Sequence, residues 1–213
     1  MSDIQNSIPE LVKEGKMLPL MESFYTLQGE GFHTGTAAFF IRIGGCDVGC
    51  WWCDTRESWN PDLHPATSIS DILALALKHK SRAIVITGGE PLNYNMAPLT
   101  DLLHKHGFRI FLETSGSEEL SGEWDWICLS PKTKAPPLPG IYSRANELKV
   151  IVFEENDFFW AEEMSSHILP SCQLFLQPEW SRRDVMMPKI IDFILANPHW
   201  RISLQSHKYM HIP

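Results

Sequence analysis

Short apolar stretches alternate with amphipathic ones along most of the chain. Residues 37–44 (AAFFIRIG) and 83–86 (AIVI) are rich in β-branched and aromatic side chains, as in strands that are buried on both faces. Residues 68–80 carry apolar side chains at helical spacing, and Ser68 and Asp71 stand at capping-box positions. Strands that alternate with helices predict βα units and a parallel sheet.

The same pattern predicts the remaining elements and the fold class. It predicts strands at 18–25, 37–44, 83–86, 108–112, 126–129, 148–153, 173–176 and 201–205, and helices at 68–80, 98–106, 156–167 and 188–196. A closed eightfold barrel typically needs about 250 residues, and this chain has 213. The sequence therefore favours an α/β fold with a partial, open (β/α) barrel of about six parallel core strands, and a doubly wound sheet is the second choice. The proline-rich stretch 131–140 is predicted to be a loop.

Length and composition indicate one globular domain. A domain of about 150 residues is typical, so we expect an N-terminal arm at 1–17 and a single domain at 18–213. Hydrophobic residues make up 44% and charged residues 21%, which excludes wholesale disorder. No apolar run approaches the roughly 18 residues of a membrane span. The first residues are not basic and no apolar block follows them, so the sequence does not predict a signal peptide. We therefore expect a cytoplasmic protein.

Charge narrows the class of partner. Eighteen lysines and arginines stand against 26 acidic residues, for a net charge of −8. An acidic surface repels phosphate backbones, which disfavours nucleic acid as a partner. A small-molecule site remains compatible with this charge.

Three cysteines on one predicted loop indicate a metal-binding site. Cys46, Cys50 and Cys53 form C-x₃-C-x₂-C directly after the strand at 37–44. A structural zinc site needs four ligands, and the nearest candidates, His33 and His64, lie at unfamiliar spacings. Three cysteines on a 4Fe-4S cluster leave one iron free to bind a substrate. The spacing favours such a catalytic cluster, with zinc or three buried thiols as alternatives.

Several motifs resemble one enzyme family. The cysteine loop, with Trp52 as the aromatic residue before Cys53, resembles the cluster loop of the radical S-adenosylmethionine (SAM) superfamily. The rest of the chain, from about residue 18, resembles the 7-carboxy-7-deazaguanine synthases within it. The matching stretches are 24–31 (FYTLQGEG), 53–55 (CDT), 87–91 (TGGEP), 113–116 (ETSG), 130–132 (SPK), 176–178 (LQP) and 205–208 (QSHK), with Pro213 at the end.

The resemblance implies a reaction and its cofactors. Enzymes of this family are carbon–nitrogen lyases that convert 6-carboxy-5,6,7,8-tetrahydropterin to 7-carboxy-7-deazaguanine with loss of ammonia, towards queuosine and related 7-deazapurines. It implies that Cys46, Cys50 and Cys53 hold a 4Fe-4S cluster, that SAM binds its free iron, and that a 5′-deoxyadenosyl radical abstracts hydrogen from the pterin. No protein side chain is then the catalytic group. The resemblance further implies Mg²⁺ at Thr55, a flavodoxin or ferredoxin as reducing partner, and a homodimer.

It also implies two sets of binding residues. The set for SAM is Trp52, Cys53, Asp54, Gly89, Glu90, Ser130, Pro131, Lys132 and Gln177. The set for the substrate is Leu27, Gln28, Gly29, Glu30, Arg42, Thr87, Glu113, His207 and Pro213, the last through the chain's terminal carboxylate.

Arg42 can be interpreted without the resemblance. It lies within an apolar strand, where a charge needs a partner. A bidentate guanidinium suits a substrate carboxylate, and the alternative is a structural salt bridge with Glu22 or Glu113. The runner-up function is a radical-SAM activase that generates a glycyl radical on a partner protein. Such an activase would share the cysteine loop but would not need Arg42 or the stretch 26–31 (TLQGEG). Cys128 and Cys172 match no catalytic motif and are predicted to be core residues.

Overall fold

One mixed, open sheet forms the centre of the molecule. The structure, a computed structural model, describes residues 8–213. Within them, nine strands form one sheet in the order β3-β1-β2-β4-β5-β6-β7-β8-β9. The strands are β1 Met17–Leu27, β2 Ala37–Ile43, β3 Ala66–Ser68, β4 Ala83–Gly88, β5 Arg109–Thr114, β6 Trp126–Leu129, β7 Glu147–Val152, β8 Gln173–Pro178 and β9 Trp200–Ile202. The helices are α1 Ile8–Lys13, α2 Ile69–Ala76, α3 Ala97–Lys105, α4 Pro139–Tyr142, α5 Asn156–Ser165, α6 Arg183–Ala196 and α7 Ser206–Met210.

The strand order confirms the predicted fold class. Strands β2 and β4 to β9 are parallel and adjacent in chain order, whereas β1 and β3 pair antiparallel at one edge. A doubly wound sheet reverses its strand order at a switch point, and no reversal occurs among the parallel strands of the described chain. Right-handed crossovers between successive neighbours place the helices on one face. The other face is the interior of an open barrel, with seven parallel strands rather than about six.

Side chains alternate between the two faces of each parallel strand. In β4, Ile84 and Ile86 pack in the cluster with α2 and α3, while Ala83 and Val85 belong to a smaller cluster inside the barrel. This period of two explains why the strands appear in the sequence as continuous apolar runs. Towards the carboxyl ends, the interior positions become polar and point into the barrel mouth. They include Arg42, Thr87, Glu113, Lys149 and Gln177.

Three local features differ from the sequence expectation. Strand β3 was not predicted, because a three-residue strand carries almost no periodic signal and forms by pairing with β1. Helix α6 begins at Arg183, five residues before the predicted start, and contains Pro188 in its interior. An interior proline is unfavourable because it removes a hydrogen bond and crowds the preceding turn, so the prediction placed Pro188 at the helix start. The predicted loop 131–140 runs into the short helix α4.

The predicted N-terminal arm is only partly described. Residues 1–7 lie outside the described residues, and the rest forms α1 and the turn before β1. A Cβ on Gly15 would lie 2.0 Å from the Asn95 carbonyl oxygen, so this turn packs closely against the chain before α3. The boundary at residue 17 stays a prediction. Between residues 8 and 213, no helix is both long and apolar enough to cross a bilayer.

Candidate active site

One cavity of about 290 Å³ opens at the carboxyl ends of the parallel strands. This is the end at which α/β barrels place their active sites. The cavity brings together all but one of the residues predicted for cluster, SAM, Mg²⁺ and substrate. Pro131 is the exception, since it is buried beside the cavity without lining it.

The cysteine loop forms one wall of the cavity. Cys46, Cys50 and Cys53 are all partly exposed and all line it. Backbone hydrogen bonds from Gly45 N to Ser58 O and from Cys46 N to Trp59 O hold the start of the loop. Burial is the largest cause that raises the pKa of Cys46 and of Cys50, and the nearby Lys132 ammonium counteracts it at Cys50.

Two glycines let the next strand end approach this loop. A Cβ on Gly89 would lie 2.2 Å from the Gly45 carbonyl oxygen and 2.8 Å from the Cys46 Cβ. Gly45 itself has a φ of 101°, which L side chains rarely adopt. Glu90 N donates to Gly45 O over 2.8 Å. The TGGEP turn is therefore packed against the cysteine loop by its backbone.

The Glu90 side chain is held inside the protein. It is 1% exposed, and its two oxygens accept hydrogen bonds from Thr114 Oγ1, Leu92 N, Ser115 N and Ser115 Oγ. A carboxylate offers about four acceptor sites, so these bonds use its capacity and fix the TGGEP turn against the end of β5. Contact between Glu90 and SAM stays a prediction.

Lys132 lies beside the cysteine loop, next to Trp52. The Lys132 ammonium donates to Ser130 Oγ over 2.7 Å and lies 5.7 Å from the centre of the Trp52 ring. Burial is the main cause that lowers the pKa of Lys132. Together with Gln177 on β8, these residues form the polar wall predicted for SAM.

The C-terminal segment closes the cavity over the loop that follows β1. Ser206 donates from both its N and its Oγ to the Gly29 carbonyl oxygen, each over 2.9 Å. A Cβ on Gly29 would lie 2.2 Å from His207 Nδ1, so only glycine permits this approach. Lys208 Nζ donates to Asp54 Oδ2 over 2.7 Å. Helix α7 thus joins the TLQGEG loop to the cysteine loop.

An ionic triad, with a buried lysine between two partly buried carboxylates, lines the cavity. Lys149 Nζ lies 2.7 Å from Glu30 Oε2 and 2.9 Å from Glu113 Oε2. Burial opposes charge on Glu30, but the charge and the hydrogen bond of Lys149 outweigh it and lower the pKa of Glu30 to about 2. The cavity therefore presents an ionised Glu30 near neutral pH.

Arg42 forms the salt bridge that the sequence left open. Its Nε donates to Glu22 Oε1 over 2.6 Å, and its guanidinium lies 6.0 Å from the Phe24 ring centre. Arg42 nevertheless lines the cavity. One nitrogen is thus occupied, and a guanidinium has further N–H donors for a ligand.

The two histidines considered for zinc do not join the cysteines. His33 stacks on Phe111 at 4.2 Å between ring centres, and His64 Nε2 lies 2.9 Å from Glu57 O. Neither lines the cavity. Within residues 8–213, no three histidine, cysteine or acidic side chains converge as a single-ion site requires. Thiols spread along a cavity wall suit a cluster, in which each binds a different iron.

Comparison with known proteins identifies the family. The radical SAM superfamily matches residues 40–127. The chain is 53% identical to the 7-carboxy-7-deazaguanine synthase of Flavobacterium psychrophilum, over 95% of this chain and 96% of that protein. This chain belongs to the 7-carboxy-7-deazaguanine synthase family. The Escherichia coli K12 synthase is 37% identical over 91% of this chain and 98% of its own. The crystal structure of QueE from Escherichia coli superposes with a TM-score of 0.82 at 35% identity, and covers 93% of this chain and 98% of that one.

Membership of this family decides between the open alternatives. The 7-carboxy-7-deazaguanine synthases are radical SAM enzymes, which implies a 4Fe-4S cluster and SAM as cofactors. The three thiols on one cavity wall fit that cluster. Neither an activase nor a zinc-binding module accounts for relatives that match nine tenths of the chain under the synthase name.

Several cavity residues were not predicted from the sequence. Lys149, Trp180 and Gln205 all line it. Lys149 could have been predicted, because it is a lone charge within the apolar run 148–153 and, like Arg42, needs a partner there. Trp180 and Gln205 follow strands β8 and β9 in the chain, and only the fold shows that they face the cavity.

Proposed function

We propose that this chain converts 6-carboxy-5,6,7,8-tetrahydropterin to 7-carboxy-7-deazaguanine with release of ammonia, as a step towards queuosine or a related 7-deazapurine. The observation that carries the proposal is the shared cavity. Three thiols suited to a cluster lie in the same cavity as Arg42, Glu30 and Glu113. A substrate bound by these charged groups would lie beside the cofactors. The name of the relatives, 7-carboxy-7-deazaguanine synthase, supplies the identity of the product.

The cofactors take one side of the cavity in this proposal. Cys46, Cys50 and Cys53 hold the 4Fe-4S cluster, and Trp52, Asp54, Gly89, Ser130, Lys132 and Gln177 surround SAM. Together the cluster and SAM supply the radical that abstracts hydrogen from the pterin. The protein binds, orients and shields the reactants.

The substrate takes the other side. The free N–H donors of Arg42 suit the pterin carboxylate. Glu30, ionised beside Lys149, accepts hydrogen bonds from the amine and amide edge of the ring, and Gln28 can both donate and accept there. His207, which reaches over Gly29, covers the ring together with Pro213. Because these residues would contact the pterin from several sides, they would hold it in one orientation relative to SAM.

Three further parts of the proposal rest on the family resemblance. Thr55 would hold Mg²⁺ through its hydroxyl, and the ion, which usually retains waters and takes substrate oxygens, would help to orient the pterin. A flavodoxin or ferredoxin supplies the electron. The enzyme works as a homodimer.

An anaerobic assay with mass detection tests the reaction. Reconstituted protein is mixed with dithionite, SAM, Mg²⁺ and 6-carboxytetrahydropterin. We expect 7-carboxy-7-deazaguanine, with SAM regenerated rather than consumed. Formation of 5′-deoxyadenosine without any deazaguanine, in protein that carries its cluster, would overturn the proposed substrate and leave the family assignment intact. Omission of Mg²⁺ should lower the rate, and an unchanged rate would remove the metal from the proposal.

A further inference from the structure

Lys149 connects two carboxylates that come from distant parts of the chain. It lies on the inner face of β7 and is 3% exposed. Its partner Glu30 is 119 residues away, in the loop after β1, and its partner Glu113 is 36 residues away, on β5. The salt bridges are 2.7 and 2.9 Å long. One ammonium thus fixes both carboxylates at the centre of the cavity.

The other oxygen of each carboxylate accepts a hydrogen bond from a glutamine side chain. Gln28 Nε2 donates to Glu113 Oε1 over 3.3 Å, and Gln205 Nε2 donates to Glu30 Oε1 over 2.9 Å. These amides are neutral, so they orient the carboxylates without balancing their charge. The charge balance at this point of the cavity depends on Lys149.

The surroundings of the triad make the lysine hard to replace. Cys128 acts on Lys149 from the neighbouring strand β6, Lys132 from the loop after β6, and Glu147 from β7 itself. His207 and Asp54 act on Glu30 from α7 and the cysteine loop. Burial opposes charge on Lys149, yet Cys128, Glu113 and Glu30 raise its pKa well above the ordinary value. Without the ammonium, two partly buried carboxylates would stand together, and such a pair takes up a proton or separates.

We propose that Lys149 is a positioning residue for the pterin, which fixes Glu30 and Glu113 in the orientation and charge that the substrate meets. This inference rests on the proposed function, because it assigns the two carboxylates to the pterin. Lys149 itself need not touch the substrate. A purely structural salt bridge would contribute to folding and leave substrate affinity unchanged in any variant that folds.

The test is the substitution Lys149→Met, which keeps an unbranched side chain of nearly the same length and removes its charge. Isothermal titration of cluster-loaded, SAM-bound protein with 6-carboxytetrahydropterin gives the dissociation constant without turnover. We expect it to rise about tenfold or more, the range for loss of a buried charged partner. SAM cleavage without pterin and the cluster absorbance should stay as in the wild type. Lys189→Met is the matched control, because Lys189 forms an exposed salt bridge with Glu155.

The pH dependence of binding separates positioning from folding. Glu30 in the wild type, with a pKa of about 2, stays ionised between about pH 6 and about pH 8.5. In Lys149→Met its pKa rises, since burial is no longer opposed by the ammonium. The ratio of variant to wild-type dissociation constants should therefore increase as the pH falls. Lys149 also acts to lower the pKa of His207, so the same ratio is measured in a His207→Gln background, which removes that contribution. A ratio near one at every pH would overturn the inference.

A second variant covers the case in which Lys149→Met does not fold. Lys149→Met with Glu113→Gln removes one positive and one negative charge, so the cavity keeps its net charge. We expect this double variant to fold and to bind the pterin weakly, with the same pH trend through Glu30. Wild-type affinity in the folded double variant would overturn the inference. If the wild-type enzyme cleaves SAM but binds no pterin, the proposed function fails and the inference falls with it.

Discussion

Lys208 Nζ and Asp54 Oδ2 lie 2.7 Å apart, which joins helix α7 to the residue that follows the last cysteine of the loop. Lys208 also donates to Gln205 Oε1 over 3.1 Å and lies 5.2 Å from the Trp180 ring centre. The end of the chain is thereby held over the cavity. Burial opposes the charge of Asp54, but the hydrogen bond and charge of Lys208 lower its pKa below the ordinary value.

The first prediction concerns this tie. Lys208→Met should raise the KM for the pterin up to about fivefold, because partly exposed ion pairs contribute up to about 1 kcal/mol. Limited proteolysis should remove the C-terminal residues faster than in the wild type. Lys105→Met, on the exposed face of α3, is the control. Unchanged KM and unchanged proteolysis would show that α7 stays closed without the tie.

The second prediction concerns the cysteines. Cys50→Ala should give a protein that folds but lacks the absorption of an iron–sulfur cluster and does not cleave SAM, because two thiols remain for three irons. Cys172→Ala is the matched control, since Cys172 is buried and does not line the cavity. Absorption spectra and 5′-deoxyadenosine release measure both effects. A brown, SAM-cleaving Cys50→Ala protein would contradict the assigned ligands.

The third prediction separates the two roles of Arg42. Arg42→Ala should keep the cluster and the cleavage of SAM without substrate, and should lose pterin turnover by about a hundredfold or more, since a desolvated charged partner of the substrate is lost. Glu22→Gln removes the salt bridge at 2.6 Å and leaves the guanidinium in place. Turnover should fall much less in that variant. Equal losses in both variants would mean that Arg42 acts only through Glu22.

The fourth prediction concerns stability and pH. Glu147 is 3% exposed, and its Oε1 has no hydrogen bond partner among residues 8–213. Burial, the largest cause, raises its pKa in the folded protein. The folded state then binds more protons than the unfolded state between the two pKa values, so this residue makes stability fall as the pH rises through that window.

Glu147→Gln should remove that loss. Its melting temperature relative to the wild type should be higher at about pH 8.5 than at about pH 5.5. Thermal unfolding of the cluster-loaded protein under argon measures the difference. Glu162→Gln, on the exposed face of α5, should show no such trend. A Glu147→Gln protein that follows the wild type at both pH values would show that Glu147 does not carry this pH dependence.

The sequence predicted the sheet well because its signal is local. Residues such as Ile84 and Val85 face two apolar environments, so the parallel strands are visible as short apolar runs. The motifs at the strand ends come together in one cavity, because parallel strands all end at one edge of the barrel. Both kinds of information are contained within a few neighbouring residues.

Long-range partners were not predictable in the same way. Lys149 depends on Glu30, 119 residues away, and nothing local selects that partner. The four donors around Glu90 are another case, since three of them come from Thr114 and Ser115 on the neighbouring strand end. Sequence shows that a buried charge needs compensation, but only the folded chain shows what provides it.

The open barrel ends in two short strands. These are β3 and β9, which end the strand order, and each is only three residues long. Long exposed edges act as templates for strands of other chains, whereas short edges offer too few free backbone groups to bind such a strand. The two terminal strands therefore offer other chains little to pair with, and the longer open edge lies on β1, which pairs with β3 only through Met17, Leu18 and Pro19.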